Sequence, residues 1–108
     1  MPYDTKEAAA SLMIDEKDLL DILETYVAET LDILADCEKA IKNGDAGTLK
    51  NLFHTLKGSA ANFRIHDLVD LAVKLENGCK SPDWKIIAEV MPVFKSELEL
   101  FQRQVRQK

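Results

Sequence analysis

Cysteine is scarce in this chain of 108 residues: there are two, Cys37 and Cys79, far apart. With only two histidines, His54 and His66, they form no metal-ligand spacing and no disulfide framework. They are expected as two reduced core thiols of a cytoplasmic protein. Glycine and proline are few, at four and three, and no window alternates like a strand for long. That excludes a β-rich fold, because strands need turn signals and a period of two. No apolar run approaches the ~20 residues of a membrane span. Residues 1 to 7 are polar, so no signal peptide is expected there. A positive excess is missing as well. The formal net charge is −5, which argues against nucleic acid as a partner. No Gly-rich nucleotide loop occurs, so the chain has no kinase chemistry of its own. Glu-x-x-His is also absent, and with it the usual ligand pattern of a metal-binding helix bundle.

What remains is helical. Apolar residues make up 46% of the chain and charged residues 31%, the balance of a globular protein of one domain, residues 1–108. Asp4 or Thr5 can cap a short first helix through about Met13. Asp15 starts a long second one, with Leu20, Leu23, Val27, Leu34, Cys37 and Ile41 in its stripe, and Asn43-Gly44 ends it. Asp45 starts a third, running to about Phe63, with Leu49, Leu52, Phe53, Leu56, Ala60 and Phe63 on one face. A fourth begins near Asp67, with Leu68, Leu71, Ala72, Leu75 and Cys79 inward. Ser81-Pro82-Asp83 reads as the start of a fifth, with Ser81 at the N-cap and Pro82 at the first helical position. Its apolar register, from Trp84 to Val105, passes straight through Pro92. One kinked helix is expected there, with a break as the alternative. Long helices with short loops and one apolar stripe each imply an all-α fold, an antiparallel up-down four-helix bundle with a short extra N-terminal helix.

The third helix carries the candidate chemistry. With Leu49 at zero and about 100° per residue, His54 lies at about 140°, on the solvent side. Gly58 falls near 180° and Ala61 near 120°, so small residues flank the imidazole. Lys50, Lys57 and Arg64 are spaced seven apart and form a basic row beside it, provided that the helix persists to Arg64. A lone exposed histidine is usually an ordinary surface residue. Gly58 points further, because glycine within a helix costs roughly 1 kcal/mol relative to alanine. Stability gives no reason for it there, whereas close approach by a partner would.

The segment His54-Thr55-Leu56-Lys57-Gly58-Ser59-Ala60-Ala61-Asn62-Phe63 resembles the signature of the histidine-containing phosphotransfer (HPt) domains of two-component phosphorelays. The Asn-Gly-Asp turn at 43–45 and the Leu75-Glu76 pair resemble other recurring features of that family. The family often has glycine where this chain has Arg64. The resemblance implies that His54 is phosphorylated, accepting a phosphoryl group from a receiver domain or a kinase and passing it to another receiver. It makes the chain a relay intermediate and not an enzyme. Lys57 would supply charge near the phosphoryl oxygens. Glu76 would accept a hydrogen bond from Nδ1–H and leave Nε2 as the nucleophile. On its own wheel Glu76 lies at the edge of the inner stripe, where it either reaches across or is simply solvated. Ser59 is a weaker candidate for a supporting hydrogen bond. His66 is read as structural, at the start of the fourth helix.

The expected partners are receiver (response regulator) domains and a sensor or hybrid histidine kinase, with no nucleic acid, no membrane and no obligate dimer. No cofactor is expected, since the Mg2+ of such a transfer comes with the receiver. The competing reading is a helical interaction module that is never phosphorylated and docks a partner on the same face.

Overall fold

A computed structural model describes residues 3–107. It contains α1 (Thr5–Leu12), α2 (Glu16–Lys42), α3 (Ala46–Asn62), α4 (His66–Gly78) and α5 (Trp84–Arg106), and no strand occurs among the described residues. The four longer helices pack in a closed ring, α2 on α3, α3 on α4, α4 on α5 and α5 on α2, while α1 lies against α2. Each turns one stripe inward. Leu19, Leu23, Leu49, Phe53, Leu56, Leu68, Leu75, Ile87, Phe94 and Leu98 are buried in one core. Burial at roughly 25 cal/mol per Å² of apolar surface is what holds such helices together.

The helix ends show why the chain turns where it does. Asp4 caps α1 by accepting from the Glu7 amide at 3.0 Å, and Asp45 caps α3 by accepting from Thr48 N at 3.0 Å. Asp15 precedes α2 without a side-chain capping bond. At the end of α2, the Gly44 amide bonds Ile41 O and the Asp45 amide bonds Ala40 O. Gly44 takes the left-handed backbone (φ 64°) that this closure needs.

The expected start of α5 needs correction. Ser81 and Pro82 belong to the preceding turn, and the N-cap is Asp83, whose carboxylate accepts from Ile86 N at 3.2 Å. The Asp83 amide bonds Gly78 O at 2.8 Å, which closes the connection from α4. Carboxylate and backbone amide together outweigh the Ser-Pro signal. Cys79 is the C-cap of α4, one residue past its last helical residue, and lies buried in the core with the rest of the stripe. From Asp83 onward α5 runs unbroken through Pro92. Pro92 is exposed, as is Ala88, whose carbonyl loses its helical donor and can be met by water. Both cysteines are buried and unpaired.

Candidate functional site

The site lies on the outer edge of the α3–α4 pair. Capping by Asp45 and burial of Leu49, Phe53, Leu56 and Ala60 fix the rotation of α3 about its axis. At the far end, Tyr3 donates its hydroxyl to Phe63 O at 2.6 Å, with its ring edge-on to Phe101. With α3 so held, His54 must face outward, and its side chain is 69% exposed.

Glu76, on α4, reaches back to it. His54 Nδ1 and Glu76 Oε2 are 2.8 Å apart. The second carboxylate oxygen, Oε1, accepts from Lys57 Nζ at 2.7 Å. Glu76 therefore joins the two α3 side chains, with only 15% of its own side chain exposed. The Lys57 hydrogen bond holds the Glu76 carboxyl below the usual carboxylate range against the opposing effect of burial, and the His54 contact adds to it. An ionised carboxylate facing Nδ1 favours the tautomer with the proton there, and so leaves the Nε2 lone pair toward solvent.

Gly58 is exposed, and a Cβ built on it would meet no atom within 4 Å. No packing inside the protein calls for a glycine at this position. Ala61 is exposed on the same flank, and so is Lys50.

Two expected residues stand outside the site, whereas His66 is at the start of α4 as expected. The basic row stops short of Arg64, because α3 ends at Asn62 and Arg64 turns into the left-handed region (φ 60°), its guanidinium on Asn62 O. The Ser59 hydroxyl bonds back to Thr55 O at 2.8 Å and offers nothing to His54. His66 is the first residue of α4 and is exposed, with no hydrogen-bond partner for its ring among the described residues. The pairing of Lys57 with Glu76 was not foreseen. Its signal was opposite charge on two helix flanks, readable only once α3 and α4 are known to be neighbours. No group of three or more potential metal ligands occurs among the described residues.

A model of the Hpt domain family matches residues 21–106, and the chain belongs to that family. Hpt domains carry out histidine phosphotransfer in two-component systems, as intermediates that work with receiver domains and kinases. The match begins within α2, leaving α1 outside it. Neither a curated protein nor a solved structure gives a significant match.

Proposed function

We propose that His54 is the phosphoacceptor of this Hpt domain, and that the domain takes its phosphoryl group from the aspartyl phosphate of a receiver, or from a kinase, and hands it to another receiver. One observation carries this reading: His54 is the exposed imidazole whose Nδ1 faces a carboxylate while Nε2 is open. In the transfer, the Nε2 lone pair forms the N–P bond. The P–O bond to the donor's carboxylate breaks, and its electron pair leaves on that carboxylate. Nδ1 keeps its proton, so the phosphorylated ring is cationic and lies against Glu76. Phosphoryl transfer asks little more of a protein than positioning and charge. Glu76 orients the ring, Lys57 is the cation of the site, and Gly58 leaves the approach clear.

The helices are read as an antiparallel up-down four-helix bundle. Their ring order and the short connections at 43–45, 63–65 and 79–83 support it. The domain is proposed to act as a monomer in the cytoplasm, without kinase activity, nucleic acid or a metal of its own, the Mg2+ being the receiver's. Among the described residues no helix is long and apolar enough to cross a membrane.

The test is incubation with a phosphorylated receiver domain, followed by mapping of acid-labile phosphate. Label on His54, lost in His54→Gln and kept in His66→Gln, is the expected result. Docking without any label would favour an unphosphorylated interaction module.

A further inference from the structure

Of the four asparagines in the chain, Asn43 and Asn77 precede a glycine. A glycine nitrogen has no side chain beside it and can swing onto the side-chain carbonyl carbon of the asparagine before it. Leu52 after Asn51 and Phe63 after Asn62 crowd the same approach. Attack closes a five-membered imide. The bond from the glycine nitrogen to Cγ forms, the Cγ–Nδ2 bond breaks, and Nδ2 leaves as ammonia. Water then opens the ring at one of its two carbonyls. The product is aspartate, or isoaspartate with one more methylene in the main chain.

The two sites differ in what must open before that attack. Asn43 is the C-cap of α2, with ψ −2°, and the Gly44 amide bonds Ile41 O at 3.1 Å. This closed turn holds the nitrogen to another partner. Asn43, Gly44 and Asp45 are all exposed, however, and opening them breaks the bonds of Gly44 to Ile41 O and of Asp45 to Ala40 O without drawing any of the three from the core. Asn77 lies inside the last turn of α4. Its Gly78 is buried, and a Cβ there would stand 3.2 Å from the Ile87 side chain. The Gly78 carbonyl accepts from the Asp83 amide at 2.8 Å, and Cys79 beside it is buried. Freeing Gly78 therefore uncovers the packing of α4 on α5, a larger opening than the fraying of an exposed turn.

We infer that Asn43 is a site of spontaneous deamidation in the folded protein, with the Gly44 nitrogen as nucleophile, and that Asn77 is shielded from the same reaction by the burial of Gly78. The change falls on the connection from α2 to α3. A new carboxylate stands at the negative end of α2 and beside Asp45, and the isoaspartate methylene shifts Gly44 and Asp45 away from their carbonyl partners. Both effects loosen the cap from which α3 starts.

The experiment holds the intact protein in warm, mildly alkaline buffer, beside a sample unfolded in urea. Ammonia release is followed, and peptides are mapped for aspartate and isoaspartate. In urea both Asn-Gly sites should react at similar rates. In the folded protein Asn43 should react, and Asn77 should be at least about tenfold slower, the gap between fraying and the opening of a buried segment. Asn43→Gln should nearly abolish ammonia release from the folded protein, because the six-membered ring that glutamine needs closes far more slowly, and Asn77→Gln should leave the release unchanged. Separated by anion exchange, the deamidated protein should have a lower urea midpoint than the intact one. Equal rates at the two sites in the folded protein, or reaction of Asn43 in urea alone, overturns the inference. An unchanged midpoint overturns the effect on the α3 cap.

Discussion

Adjacent residues on α3 live under opposite constraints. Phe53 is fully buried, and His54, the next residue, is largely open to solvent. Leu56 is fully buried, and Lys57 and Gly58 follow it on the outer side. The inner face is set by packing, where the loss of a few methylenes leaves a cavity. On the outer face, Gly58 touches nothing that a side chain would displace. On the proposed reading one helix keeps stability and transfer on separate faces, and substitutions should separate them too.

The sharpest contrast is between neighbours. Phe53→Ala should cost about 3–5 kcal/mol of stability in urea denaturation. His54→Gln should leave the denaturation midpoint in place and abolish phosphate acceptance. If His54→Gln unfolds the protein, the two faces are not independent.

Glu76→Ala comes next, because it frees the ring tautomer and releases Lys57 together. Phosphate uptake should fall several-fold, and a normal rate would return Glu76 to a surface role. A smaller stability effect goes with it. The folded-state pKa of Glu76 is lowered, by Lys57 first and His54 second. Its contribution is therefore present above the ordinary glutamate range and lost as pH falls through the lowered value. Urea midpoints across acid pH should show a shallower decline in Glu76→Ala than in wild type.

Gly58→Gln sets the faces against each other within one variant. Glutamine is a better helix former than glycine and has open space to occupy, so the melting temperature should hold or rise. Its length should stand in the path of a donor that must bring its phosphorus to about 3–3.5 Å from Nε2. Unfolding would show that α3 needs the glycine for its backbone. Transfer at the wild-type rate would move the docking surface elsewhere.

Most of this was legible in the amino-acid order. Period and caps placed five helices, and the wheel of α3 set His54 and Gly58 outward because burial of Leu49, Phe53 and Leu56 fixes its rotation. What was not legible depended on competition between local signals or on pairing between helices. Ser81-Pro82 and Asp83 are both good helix starts, and the Gly78 carbonyl decided for Asp83. The wheel put Glu76 at a stripe edge but could not say that it would also meet Lys57, since that depends on how α3 and α4 face one another.

The smallest expected effect concerns where the outer face ends. Had α3 continued, Arg64 would have extended its basic row. Instead the chain closes there as it does after α2: the Arg64 amide bonds Ala61 O and the Ile65 amide bonds Ala60 O, repeating the bonds of Gly44 and Asp45. Both closures need a left-handed residue. Gly44 takes φ 64° freely, whereas Arg64 takes φ 60° against the crowding of its own Cβ. Arg64→Gly should relieve that crowding, while glycine's greater freedom in the unfolded chain returns part of the gain. The net should be about 0.5 kcal/mol of added stability, a rise in melting temperature of about 2–4 °C. The guanidinium contact with Asn62 O is exposed and its loss should weigh little. Phosphate uptake should not change, because Arg64 lies beyond the last helical residue, Asn62, and off the row of Lys50 and Lys57. A slower transfer in Arg64→Gly would mean that the docking face continues past the end of α3, and the boundary between the two faces would then have to be redrawn around the turn at 63–65.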